Sequence, residues 1–348
     1  MVLNRTPLIA GNWKMNLDHL QAVAFVQKLH WTLKDAKHES GSVEVAVFPP
    51  FTDLRTVQTL LDADKIEFAL GGQDLSAHDS GAYTGEISGQ FLAKLDARYV
   101  IIGHSERRQF HHETDEVIAA KTQAALRHGL VPVICVGETS EDLEKFGASA
   151  VPVGQLEVAL EGVASDADIV VAYEPVWAIG SGQAATPDQA QEVAAKLRAV
   201  VADKLGADAA ARTRILYGGS VKSGNIAGFM REPDVDGALV FDLAPEIGIA
   251  TTLERERRRR YWYDRRRHAG DSFVKARGSF NRRSGRSAPR SRRHAAFATA
   301  SRVRNRRTDS RSRGRRRERS ASARREWSSD PAAAARTRSR RSRSSRRR

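Results

Sequence analysis

Cysteine is almost missing from this sequence. Cys135 is the only one among 348 residues, so no intrachain disulfide can form and nothing in the chain calls for an oxidising compartment. There is also no uncharged apolar run of membrane-spanning length. Met1–Lys14 lacks the basic start, apolar centre and small-residue cleavage site of a secretory leader, so the expected location is the cytoplasm, with no membrane partner. An early Gly-x-Gly-x-x-Gly fingerprint is absent, which argues against a dinucleotide-binding sheet. Lysine is nearly absent from the last third. Residues 241–348 hold 35 Arg, one Lys and ten acids, a net of +26. The whole chain carries +15, so residues 1–240 keep 21 basic against 32 acidic residues, a net of −11. An acidic domain is joined to a very basic tail.

What is present in the acidic part is an alternation. Short apolar runs occupy Leu8–Asn12, Val43–Phe48, Phe68–Gln73, Tyr99–Gly103, Val131–Val136, Ile169–Glu174, Arg214–Tyr217 and Gly237–Val240. Their continuous β-branched character suits strands buried on both faces, as in a parallel sheet. Helix-like stretches lie between them, including Leu17–Leu33, Glu116–His128 and Pro187–Leu205. Thr186 precedes Pro187 as an N-cap before a first-turn proline, and Gly129 follows His128 as a C-terminal stop. Eight strand-like runs with seven intervening helical regions predict an α/β chain folded as a (β/α)8 barrel.

In such barrels the chemistry sits where strands end and the following loops begin. The first run ends in Asn12-Trp13-Lys14, and the fourth in Gly103-His104-Ser105-Glu106. The sixth ends in Tyr173-Glu174-Pro175, and the seventh in Gly218-Gly219-Ser220. Taken singly, these are a surface lysine, a hydrogen-bonded strand-end histidine, a helix-start carboxylate and a turn. Their joint placement on one rim instead fits proton abstraction beside a carbonyl of a phosphorylated substrate.

Ala10–Asn16, Ile102–Arg108, Ala172–Gly180 and Leu216–Lys222 together resemble the motifs of the triosephosphate isomerase family, and Asp79–Glu86 resembles its dimer-interface loop. The resemblance runs from about residue 6 to residue 240 and implies a TIM barrel. The activity it implies interconverts dihydroxyacetone phosphate and glyceraldehyde 3-phosphate, without metal or organic cofactor. The family is itself a standard illustration of tuned acid–base groups, so the roles that follow come from the resemblance. Glu174 would be the base that moves a proton between adjacent carbons, and His104 a neutral imidazole that polarises the carbonyl. Lys14 would supply positive charge, Asn12 a hydrogen bond, and Glu106 would organise Lys14. Pro175–Ala185 resembles a lid closing over the phosphate, to which Gly180 would offer its N–H and Ser220 its hydroxyl and N–H. Gln183-Ala184-Ala185 departs from the usual Lys-Thr-Ala of the second lid hinge. Thr84 would reach a neighbouring subunit's site in a homodimer, near its Asn12 and His104.

The resemblance breaks after Val240. The family continues with two phosphate-binding glycines and a closing helix, whereas this chain reads Phe241-Asp242-Leu243-Ala244-Pro245. Phe241 puts bulk, and Asp242 negative charge, where a phosphate dianion is expected. The expected organisation is a barrel over residues 1–240, an aberrant replacement of the last loop and helix over 241–254, and a disordered Arg/Ser-rich tail over 255–348. A poorly closed barrel is the expected cost of losing the eighth helix. Two readings of the tail stand side by side. One is a nucleic-acid-binding arm on a catalytically impaired barrel, its arginines neutralising phosphates. The other is a shifted reading frame in a GC-rich gene. The abrupt break inside a motif and the lopsided Arg content point to the second.

Overall fold

A segment whose residues are apolar on both faces has to be covered on both faces, and in a barrel the inside covers one and the helices the other. The computed structural model describes residues 5–179 and 184–241. There the runs become β1 (Leu8–Asn12), β2 (Glu44–Phe48), β3 (Ala69–Gly72), β4 (Tyr99–Ile102), β5 (Val131–Val136), β6 (Val170–Tyr173), β7 (Arg214–Tyr217) and β8 (Gly237–Val240). All pairs are parallel, and the sheet closes in sequence order, β1 pairing with both β2 and β8. Alternate residues divide as the pleat requires. Leu8, Ala10, Phe48, Tyr99, Cys135 and Leu239 belong to a cluster inside the barrel. Ile9, Val47, Val100, Ile102 and Ile134 face the helices.

The helices are α1 (His19–Asp35), α2 (Leu54–Asp64), α3 (Gly89–Lys94), α4 (Ser105–His111), α5 (Asp115–Arg127), α6 (Ser140–Phe146), α7 (Ala150–Ala159), α8 (Pro187–Leu205), α9 (Ala207–Arg212) and α10 (Ile226–Phe229). Among the described residues, three of the seven connections therefore hold two helices each. Helix α1 starts two residues later than its apolar pattern predicts. Asp18 accepts the N–H groups of Leu20 and Gln21, and the Gln21 side chain returns the bond to Asp18 N–H. The predicted Thr186 cap of α8 is present, with Gln189 completing the same reciprocal arrangement. Gly129 follows α5 at φ 72°, a left-handed geometry that suits its predicted role as the stop.

The expectation of a poorly closed barrel is corrected by β8. Its residues align with β1 as Leu8↔Gly237, Ile9↔Ala238, Ala10↔Leu239 and Gly11↔Val240. Closure needs glycine at position 237, where a Cβ would lie 1.9 Å from the Leu8 carbonyl oxygen. Strand pairing and the inner cluster thus complete the ring within the described residues. Apart from Phe241, the predicted replacement segment 241–254 and the tail 255–348 lie outside those residues. No helix among the described residues is long and apolar enough to cross a membrane.

Candidate active site

The strand ends place four polar side chains on one rim. Asn12 closes β1, and its Oδ1 accepts the Lys14 N–H at 3.0 Å, which turns the chain over the barrel mouth. Lys14 adopts φ 52°, a left-handed conformation uncommon for a side-chain-bearing residue. Gln73, just past β3, holds that turn by donating from Nε2 to the carbonyls of Lys14 (2.8 Å) and Phe48 (2.9 Å). From there the Lys14 ammonium reaches Glu106 Oε1 at 2.5 Å.

His104 follows β4 and caps α4: its Nδ1 accepts the N–H of Glu106 at 3.2 Å. A ring nitrogen that accepts carries no proton, so the bond assigns the neutral tautomer with hydrogen on Nε2. That Nε2 lies 3.1 Å from Glu174 Oε1, yet neither atom forms an aligned hydrogen bond, so both are near neighbours left open to a third group. Glu174 follows β6 and is only 1% exposed. Its Oε2 accepts the Ser105 N–H at 2.9 Å, and its own N–H donates to Val136 O at 2.8 Å. Gly137 allows this approach, because a Cβ there would meet the Glu174 carbonyl oxygen at 1.8 Å. A carboxylate and a neutral imidazole thus face each other with a fixed ammonium on the same rim.

Behind His104 an ion-pair network holds α4 in place. Arg107 pairs with Asp74 (2.9 Å) and Glu113 (2.7 Å), and Lys121 pairs with the same two carboxylates (2.7 and 2.6 Å). Burial is the largest influence on both acids. It prevails at Asp74, whose pKa is raised despite Lys121 and Arg107. At Glu113 the bonds from Lys121 and Arg107 prevail and hold the pKa below the ordinary carboxylate range. On the other side, the segment after Glu174 is tied down at its start. Glu138 Oε1 accepts Trp177 Nε1–H at 2.7 Å and the Tyr173 hydroxyl at 2.9 Å. Burial raises the pKa of Glu138 against those two bonds, and raises that of the enclosed Cys135 thiol.

The remaining sequence-predicted residues are less central. Ser220 is half-buried in the loop after β7, where its carbonyl accepts Asn225 Nδ2–H at 3.1 Å. Thr84 stands exposed in the loop between β3 and α3. Gly180 and Gln183 lie outside the described residues, while Ala185 at the far end of the expected lid is buried. Among the described residues no group of His, Cys, Asp and Glu side chains is arranged to hold a metal ion.

Phe241 follows β8 directly. Its ring lies over the Lys14 ammonium, 4.4 Å from Nζ to the centroid, and meets the His104 ring edge-on at 5.5 Å. Gln73, Glu138 and the Ser105 N–H were not singled out from sequence. Gln73 and Glu138 could have been found, since they are polar residues at the ends of the third and fifth strands, the same signal that marked the others. The Ser105 N–H has no side-chain signal at all.

Residues 7–244 match the family model described as Triosephosphate isomerase. The chain is 74% identical over 238 residues to the triosephosphate isomerase of Leifsonia xyli subsp. xyli, covering 68% of this chain and 92% of that protein. It is 56% identical over 239 residues to the triosephosphate isomerase of Streptomyces avermitilis, covering 68% of this chain and 92% of the relative. A third triosephosphate isomerase, from Mycobacterium tuberculosis, is 50% identical over 240 residues, covering 68% and 91%.

Proposed function

The chain belongs to the triosephosphate isomerase family, and from that premise we propose that Glu174, His104 and Lys14 carry the interconversion of dihydroxyacetone phosphate and glyceraldehyde 3-phosphate. The single observation behind this assignment is the meeting of Glu174 Oε1 and His104 Nε2 at 3.1 Å beside the Lys14 ammonium, with His104 Nδ1 occupied as an acceptor. Glu174 takes the proton from the carbon next to the carbonyl. The C–H electron pair becomes a C=C bond, and negative charge grows on the former carbonyl oxygen. The Nε2–H of His104 and the ammonium of Lys14 stabilise that charge, assisted by Asn12. Return of the proton to the neighbouring carbon, with one proton exchanged between the two oxygens, completes the isomerisation with no atom lost.

The same proposal gives the phosphate to the Gly180 N–H and to Ser220, and gives exclusion of water to the 175–185 lid, since an exposed enediolate would lose phosphate. The experiment is turnover of glyceraldehyde 3-phosphate by the purified 348-residue chain in a coupled assay. Activity above that of protein carrying Glu174→Gln supports the reading, and none above it counts against this chain as a working isomerase.

We further propose a cytoplasmic homodimer in which Thr84 enters the partner's site. Supporting this, the loop between β3 and α3 is exposed, with Tyr83 44% and Met15, beside Lys14, 96% accessible. Sedimentation equilibrium is expected to give a concentration-dependent dimer. A fully active monomer at micromolar concentration would sink the arrangement.

Residues 241–254 are proposed as an aberrant replacement of the last loop and helix, and 255–348 as a tail produced by a shifted reading frame. The matches to the three relatives leave about a third of this chain uncovered while spanning more than nine-tenths of each relative. Read in its other two frames, the gene beyond codon 240 is expected to encode Gly-Gly followed by an amphipathic helix. If neither frame does so, and the full chain shifts RNA in a salt-sensitive way that truncation at residue 240 abolishes, the basic arm is the better account.

A further inference from the structure

β8 is in register with β1 through Gly11↔Val240, so the next residue, Phe241, is set down beside Asn12 at the barrel mouth. Side chains alternate along a strand. Leu239 points into the barrel, Val240 faces the helices, and Phe241 turns inward again to pack on the inner cluster. Its ring lands on the face of the Lys14 ammonium, 4.4 Å to the centroid, and against the edge of His104 at 5.5 Å. The Lys14 backbone is held by Asn12 and Gln73, and its ammonium by Glu106 at 2.5 Å.

We propose that Phe241 is an aromatic stopper that occupies the substrate's seat on Lys14 and His104, so that a phosphorylated ligand binds only after the ring swings aside. The proposal rests on the isomerase reading of this site and adds to it a self-blocking residue. A ring quadrupole and a ligand oxygen compete for the same ammonium face, and the ring is already there. Its cost falls on ligand affinity.

The test is calorimetric titration of the full-length chain with glycerol 3-phosphate, a non-reacting phosphate ester whose hydroxyl oxygens reach the Lys14 and His104 end. Phe241→Ala and Phe241→Gly are expected to bind it about tenfold more tightly than the unaltered chain, a change of the size one cation–π contact and its bulk can produce. Phe241→Leu keeps bulk at the position and is expected to gain less than about threefold. In the unaltered chain, saturating ester is expected to displace the His104 imidazole resonances as the ring leaves. Small-residue variants that bind the ester no more tightly than the unaltered chain overturn the proposal, and so do His104 resonances that stay put while it binds. The isomerase reading is judged separately by turnover. Tighter ester binding without any Glu174-dependent turnover upholds the stopper and rejects the isomerase.

Discussion

Replacing Glu174 by Gln is expected to lower turnover of glyceraldehyde 3-phosphate by between about a hundredfold and ten-thousandfold, the usual worth of a positioned base. The amide matches the carboxylate in shape. Its oxygen keeps the Ser105 N–H bond that Glu174 Oε2 makes at 2.9 Å, so α4 and the strand end remain in place. What is lost is the ability to accept a proton from carbon. The loss therefore falls on kcat, with KM little changed, because the phosphate is proposed to be held by Gly180 and Ser220. Thermal unfolding of the variant should match that of the unaltered chain. Undiminished turnover would remove Glu174 from the mechanism, and with it the pairing with His104.

The second large effect lies at the other end of the substrate. Substituting Gly-Gly for Phe241-Asp242, followed by a family-like closing helix, is expected to raise kcat/KM by about two to four powers of ten. Two backbone hydrogen bonds to a charged phosphate are worth about 1.5–3 kcal/mol each, so about 3–6 kcal/mol in all, and each 1.4 kcal/mol is a factor of ten. Part of the gain should appear in kcat, since binding energy at the remote phosphate also drives lid closure. The comparison with Phe241→Ala separates two causes. Alanine removes the ring from Lys14 and His104 but leaves Asp242 in place and restores no second glycine. A graft that improves kcat/KM no more than Phe241→Ala would show that the ring, and not the missing loop, limits this chain.

Closure of the barrel bears on both experiments. The four aligned residues of β8 on β1 depend on Gly237 and on the buried inner cluster, all at or before Val240. The replacement proposed after Val240 would therefore touch the proposed phosphate end directly and the strand ring hardly at all. The defect is expected in ligand affinity before it is expected in the framework that holds His104 and Glu174.

The eight apolar runs determined the architecture by themselves. Segments such as Val131–Val136, apolar on both faces, have few ways to be buried other than a parallel sheet covered on both sides, and eight of them alternating with helices close on themselves. Asn12, Lys14, His104 and Glu174 were legible for the same reason, since a polar residue at the end of a buried strand stands out against its neighbours. Strand limits were less legible, because runs such as Phe68–Gln73 continue past the last ladder bond while β3 spans only Ala69–Gly72. Tertiary structure alone decided which nitrogen of His104 carries the proton, since that depends on the Glu106 N–H directed at Nδ1 by the turn into α4. It also decided that the network of Asp74, Arg107, Glu113 and Lys121 stands behind that turn. Phe241 needed both. Its sequence neighbours marked it as misplaced bulk, but its contact with Lys14 and His104 follows from strand register and pleat. Those are distances set between residues far apart in the chain, and no local pattern encodes them.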